Sequence, residues 1–337
     1  MHRLLAALAG LVLSAQALTV ACAGEPAFGE RLEGFDYPHR VQGFSFASQG
    51  QTLEMAYMDV APAQMSKANG RTAVLLHGKN FCGATWEATI KVLSDAGFRV
   101  VVPDQIGFCK SSKPQGYQFS LNQLAANTHA LIGHLGIGKI TLIGHSMGGM
   151  LAARFAIAYP DAVEHLVLVN PLGLEDWQAK GVPYATIDAL YQRELKTSFE
   201  TIKAYQQRMY YNGAWKPAYD RWVAMLAGMY AGPGLERIAM IQAQTSDMIF
   251  NEPVVHELER IQMPATLMIG LKDRTAPGAD RATQNVAQRL GDYPALARAA
   301  VGRLVNGQLV EFPDLGHSPH VEDPEKFHAA LLRVLAR

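Results

Sequence analysis

Cysteine is scarce in this sequence. The 337 residues hold three: Cys22, Cys82 and Cys109. So low and odd a count speaks against a disulfide-rich scaffold and against a four-ligand zinc cage. Neither sign of charge is in excess, with 30 Lys and Arg against 30 Asp and Glu. No basic surplus is available for a phosphate backbone, so no nucleic-acid partner is expected. The chain carries neither a metal-ligand cluster nor a dinucleotide fingerprint, so no metal and no cofactor is expected. Internal repeats and low-complexity tracts are missing. After the first two dozen residues no apolar run is long enough to cross a bilayer. What remains is a chain with 49% hydrophobic residues and 30 glycines. That composition suits a globular protein with a sizeable core and many tight turns.

Residues 1–23 read as an export leader. His2 and Arg3 precede the apolar run Leu4–Leu13, and Ala21-Cys22-Ala23 offers small residues around a cleavage point. Cleavage after Ala23 is expected, with Ala17 as a second site. The protein is then periplasmic or secreted, with no stable membrane anchor. Acylation of Cys22 in a lipoprotein is the alternative, which Thr19 disfavours. An uncleaved anchor would have to tolerate Ser14, Gln16 and Thr19 in its span.

The mature chain starts with two strand-like runs, Val41–Ala47 and Gln51–Val60, around a Ser48-Gln49-Gly50 turn, which predicts a hairpin. Alternation of strand and helix follows. Strands are expected at Arg71–His77, Arg99–Val102, Ile140–Ile143 and Leu166–Val169. Helices are expected at Ala84–Ala96, Leu121–Leu135 and Met147–Ala158. Near-continuous apolar strands between amphipathic helices predict a mostly parallel sheet covered on both faces. From Leu172 to Gln262 the pattern turns helical and rich in aromatics, including Trp177, Tyr205, Tyr210 and Trp222. The alternation resumes with strand Ala265–Ile269, a helix near Arg281–Leu290, strand Leu309–Phe312 and helix Pro324–Leu335. The expected organisation is an α/β core in two parts, 24–171 and 263–337, interrupted by a helical lid at 172–262.

Strand Ile140–Ile143 runs into Gly144-His145-Ser146-Met147-Gly148-Gly149, which opens a helix. This is G-x-S-x-G in the strand–turn–helix setting that a nucleophile elbow requires. A turn that sharp brings strand and helix together, so positions 144 and 148 must lack bulk. It also raises the Ser146 hydroxyl and sets the Met147 N–H at a helix N-terminus. Three further motifs occur in order: His77-Gly78-Lys79-Asn80, Asp104–Ser111, and the pair Gly270-Leu271-Lys272-Asp273 and Gly316-His317-Ser318-Pro319. With them the chain resembles the α/β-hydrolase superfamily, in its serine-nucleophile, lid-containing, esterase-like branch. The resemblance covers nearly the whole mature chain.

The resemblance implies a triad in the order Ser146…Asp273…His317. Ser146 needs a base, and His317, in the loop after strand Leu309–Phe312, fits better than His320, which is expected on a helix side or rim. Asp273 would fix the imidazole, with Asp280, Glu175 and Asp176 as competitors. The N–H groups of Lys79 and Met147 would form the oxyanion hole. The Lys79 ammonium either meets an acidic substrate group or is merely solvated or ion-paired, and the latter is the simpler expectation. Asn80, Phe81, His145 and Trp177 are candidate substrate contacts. With Cys22 removed, Cys82 and Cys109 lie on neighbouring loops in this fold and are expected to form a disulfide. The implied reaction is hydrolysis of a small or medium apolar ester through an acyl-enzyme, the substrate being a small molecule. Alternatives are other chemistry on the same triad (cofactor-free haloperoxidase, carbon–carbon or amide hydrolysis) or a non-catalytic binding protein.

Overall fold

The computed structural model describes residues 26–336. The leader and Cys22 therefore lie outside the described residues. Eight strands form one sheet: β1 (Val41–Ser48), β2 (Gln51–Val60), β3 (Thr72–Leu76), β4 (Arg99–Pro103), β5 (Ile140–His145), β6 (Val163–Val169), β7 (Ala265–Gly270) and β8 (Gly307–Phe312). Their order across the sheet is β1-β2-β4-β3-β5-β6-β7-β8. The first hairpin pairs antiparallel and β2 meets β4 antiparallel, while every later pairing is parallel.

The strands alternate sides as a pleated chain must. In β3, Val74 and Leu76 enter one core layer, and Ala73 and Leu75 enter the layer on the opposite face. Helices α2 (Leu121–His134) and α3 (Met147–Ala158) cover the first face. Helices α1 (Glu87–Asp95) and α11 (Pro324–Leu335) cover the second, with Ile90, Leu93, Phe327 and Leu331 buried there. Strand interiors such as β5 and β7 are buried throughout, which explains their unbroken apolar runs.

Between β6 and β7 the chain makes four helices and no strand: α4 (Ile187–Glu194), α5 (Phe199–Met209), α6 (Asp220–Tyr230) and α7 (Leu235–Asn251). This is the helical insertion that the sequence predicts between these strands. Beyond it the sequence reading needs correction. In place of one helix over Arg281–Leu290 there is a short α8 (Gln284–Ala287), a left-handed turn at Gly291, and α9 (Tyr293–Val301). Asp292 caps α9 by accepting from the Ala295 N–H, and Pro294 occupies its first turn. Those start signals place the longer helix at Tyr293, well beyond the Arg281 start that apolar spacing alone suggests.

Residues 26–38 lace the lid to the core. The Phe28 N–H donates to the Gly228 carbonyl at 2.7 Å, and Tyr37 donates to Asp104 at 2.6 Å. Gly228 and Gly232 accommodate this strap, since a Cβ on either would lie about 2 Å from Phe28 atoms.

Candidate active site

The chain leaves β5 through Ser146, whose φ of 56° lies in the left-handed region. A non-glycine residue there carries strain of about 1–3 kcal/mol, which the surrounding packing must hold. The packing is tight. A Cβ on Gly144 would come 2.1 Å from the Gly148 carbonyl oxygen, and one on Gly148 would come 2.3 Å from that of Leu76. Both contacts are to backbone, so nothing can rotate away. This is the sharp elbow expected from the motif.

The elbow raises Ser146 Oγ to 2.9 Å from His317 Nε2. His317 Nδ1 lies 2.6 Å from Asp273 Oδ2. A carboxylate only accepts here, so Nδ1 carries the imidazole proton and Nε2 is left to accept from the serine hydroxyl. That is the tautomer a general base requires. His317 is on the loop between β8 and α10 (Pro319–Glu322), and Asp273 follows β7. Both side chains are wholly buried. Asp273 is itself held: Oδ2 also accepts from Asn170 Nδ2 at 2.9 Å, and Oδ1 from the Thr275 N–H at 2.7 Å. The competing acids are engaged elsewhere, Asp280 with Arg193, Glu175 with Lys180, and Asp176 with His256.

The loop after β3 passes directly over the serine. A Cβ on Gly78 would sit 3.0 Å from Ser146 Cβ. The next N–H, on Lys79, and the Met147 N–H at the start of α3 have no acceptor among the hydrogen bonds of the described residues. They are the two donors expected for an oxyanion. His77 locks this loop. Its Nδ1–H donates to the Gly78 carbonyl at 2.9 Å and its Nε2 accepts from the Gln105 N–H at 3.0 Å. Burial lowers the His77 pKa, which keeps the ring neutral for that double role. A Cys82–Cys109 disulfide ties the same loop to the one after β4, across a sequence separation of 27. Cys109 has φ 46°, a backbone conformation that glycine adopts more readily than cysteine.

A sequence model described as the alpha/beta hydrolase fold matches residues 73–324. The chain belongs to the α/β-hydrolase family. A solved structure from Pseudomonas aeruginosa PAO1, described as a probable hydrolytic enzyme, is 59% identical to this hydrolase. It covers 92% of this chain and 98% of its own, with a TM-score of 0.90. RutD of Pantoea ananatis, provisionally named a carbamate hydrolase, is 27% identical over 276 residues, 80% of this chain and 90% of that protein. An esterase from Exiguobacterium antarcticum shares the fold at 19% identity and a TM-score of 0.67, over 88% of this chain and all of that one.

In this hydrolase the lid roofs a cavity of about 500 Å³ whose floor includes Ser146. Leu172, Leu190, Ile202, Leu226, Ile249 and Phe250 supply apolar walls. The rest is polar. Lys79 Nζ pairs with Glu194 Oε1 at 3.1 Å, and Glu194 Oε2 accepts from the buried Tyr230 hydroxyl at 2.5 Å. Of the solvated or ion-paired Lys79 that the sequence suggests, the structure has the ion pair, and that pair faces the cavity. Asn80 also lines it.

Three of the four substrate contacts suggested by sequence are misplaced. Phe81 is buried beneath the cavity, packed on His145 and Tyr210. Trp177 is buried against Phe250, with its Nε1 turned to Glu175. His145 points away from the pocket, because successive residues of a strand alternate sides. Its Nε2–H donates to the main-chain carbonyl of His317 at 2.8 Å. Burial holds the His145 pKa well below the ordinary range, with His320 and His317 adding to the effect. His320 lies on helix α10, the helix alternative of the sequence reading, and not at a rim. It is buried with its ring stacked on Trp86 at 4.3 Å, and burial pushes its pKa well down.

Sequence reasoning missed Asn170, Glu194 and Tyr210. Asn170 had a readable signal, a polar residue just past the apolar end of β6 and beside the strand carrying the acid. Glu194 and Tyr210 gave none, because only the tertiary fold brings the lid over the site.

Proposed function

We propose that this protein is a serine hydrolase acting on carboxylic esters of small or medium size. The observation that carries the reading is the unbroken chain from Ser146 Oγ through His317 to Asp273, opening into a lidded cavity. Ser146 Oγ attacks the acyl carbon as its proton passes to His317 Nε2. The carbonyl electrons move onto oxygen, where the Lys79 and Met147 N–H groups stabilise them. Collapse expels the alcohol, which leaves with the proton from His317. A water then attacks the acyl-enzyme, giving its proton to the same imidazole. The second collapse releases the carboxylic acid and returns the proton to Ser146. Buried Asp273 stabilises the imidazolium at each stage.

The apolar wall supports an alkyl or aryl acyl group, and the Lys79–Glu194 pair supports polar atoms near the leaving group. The RutD likeness favours testing a carbamate beside the esters, since both react at an acyl carbon. The Cys82–Cys109 bond supports maturation in an oxidising compartment such as the periplasm.

A panel of p-nitrophenyl esters and one carbamate tests the reading, with Ser146→Ala as control. Ester turnover abolished by that substitution is expected. Absence of turnover at every acyl length, together with no labelling by a fluorophosphonate, would leave a binding protein on a hydrolase scaffold.

A further inference from the structure

One lid residue touches three parts of the site at once. Tyr210 closes the C-terminal end of α5, where its own N–H donates to the Gln206 carbonyl. Its main-chain carbonyl accepts the His317 N–H at 2.9 Å. Its ring lies 4.6 Å from the His317 imidazole, tilted by 33°. Its hydroxyl accepts from Asn80 Nδ2 at 2.9 Å, on the loop that carries the Lys79 N–H. The side chain is buried and borders the cavity.

The main chain of His317 is therefore strung between lid and core. Its N–H is held by Tyr210 of the lid and its carbonyl by His145 of β5. Gly316 shows how close the lid must come: a Cβ there would lie 2.0 Å from the Tyr210 carbonyl oxygen. Any withdrawal of α5 would leave the buried His317 N–H without its acceptor and uncover one face of the imidazole. It would also release Asn80. The buried His317 N–H then has no protein acceptor and is satisfied only if water enters, while Asn80, which lines the cavity, loses the contact that fixes its orientation.

We propose that Tyr210 is a positioning residue that makes seating of lid helix α5 a condition for an assembled catalytic site. The carbonyl fixes the base loop, the ring fixes the imidazole, and the hydroxyl fixes the oxyanion loop through Asn80. Base and oxyanion hole are thus disconnected together when the lid lifts and restored together when it docks. The inference rests on the serine-hydrolase reading above.

The test uses the mature protein and the variants Tyr210→Phe, Tyr210→Leu, Asn80→Ala and the Tyr210→Phe/Asn80→Ala double. Three quantities are read: the rate constant for labelling by a fluorophosphonate, kcat and KM on a p-nitrophenyl ester, and thermal stability. Tyr210→Phe and Asn80→Ala are each expected to lower kcat by about three- to tenfold with little change in KM, the effect of one lost hydrogen bond. The double variant is expected to be no worse than either single, because both remove the same contact. Tyr210→Leu is expected to lower kcat and the labelling rate by about thirtyfold or more, and Phe at 210 restores most of that loss. A residue that only packs the lid would lower thermal stability yet leave labelling per folded molecule at the wild-type rate, and that result overturns the proposal. So do additive losses from Tyr210→Phe and Asn80→Ala, a pair that decides the matter even if Tyr210→Leu does not fold. Wild-type protein that is neither labelled nor active on any ester would overturn the serine-hydrolase reading itself. Active wild type with indifferent variants overturns only the role of Tyr210.

Discussion

Removing the Cys82–Cys109 bond, as the Cys82→Ala/Cys109→Ala variant, separates two forces on the oxyanion loop. The bond closes a loop with a sequence separation of 27. Constraint of the unfolded chain over that length contributes about 3.5 kcal/mol at 25 °C. A second term is local. Cys109 has φ 46°, where an L residue is less stable than glycine by about 1–2 kcal/mol. Alanine at 109 keeps that penalty and glycine removes it. The Cys82→Ala/Cys109→Gly variant should therefore recover about 1 kcal/mol of the stability that the alanine pair loses, less the flexibility glycine adds to the unfolded chain. Urea unfolding of the three proteins, followed by tryptophan fluorescence, measures both terms. The unfolded state without the bond is also more open, so the denaturant slope should rise slightly. A loss below about 1 kcal/mol for the alanine pair would refute the entropic account. Two reactive thiols in denatured, unreduced wild type would refute the bond itself.

Other outcomes follow from the same geometry. Asn170→Gly keeps the main chain free to adopt the φ of 38° and removes the side chain that supports Asp273. It should lower kcat about tenfold or more, as loss of a hydrogen bond to a charged group does, measured on any ester the wild type hydrolyses. Gly148→Ala should fail to yield soluble active protein, since its Cβ meets the Leu76 and His77 carbonyls. Gly133→Ala, on an exposed helical position with open space around it, should raise urea stability by about 0.5–1 kcal/mol. Buried Lys113 donates to the Cys109 and Ser111 carbonyls, and burial lowers its pKa from 10.5 to about 7. Below pH 7 the amine is charged in both folded and unfolded chains and adds no slope. Between about 7 and 10.5 the unfolded chain alone holds the proton, so this group makes stability rise with pH. Unfolding of wild type and Lys113→Met at pH 6.5 and 9.5 should show a larger rise with pH in the wild type than in the variant.

Much of the site was legible because its determinants are local. The elbow needs small residues at 144 and 148 beside a serine that follows a strand, and those occur within five residues. Asp273 and His317 each follow an apolar strand, where the sheet delivers loops to one edge. The helical character of the lid was readable in its missing strands. The parts that were not legible depend on tertiary approach. Phe81 and His145 adjoin Asn80 and Ser146 in sequence, and Trp177 lies early in the helical insertion, yet side-chain direction turns all three into the core. Glu194 and Tyr210 lie in the lid, where nothing local marks a residue that will meet Lys79 or His317 across the cavity. His320, three residues from the base, is buried by the turn into α10, so adjacency gave the wrong environment.

The central claim is that Ser146 is a nucleophile activated by His317. Its most direct test is reaction of the protein with a fluorophosphonate, followed by mass spectrometry of the peptide containing Gly144–Gly149. Stoichiometric addition at Ser146, abolished in Ser146→Ala and slowed by about a thousandfold or more in His317→Ala, is the expected result. An unmodified Ser146 in folded wild-type protein, or equal labelling when His317 is replaced, would contradict it.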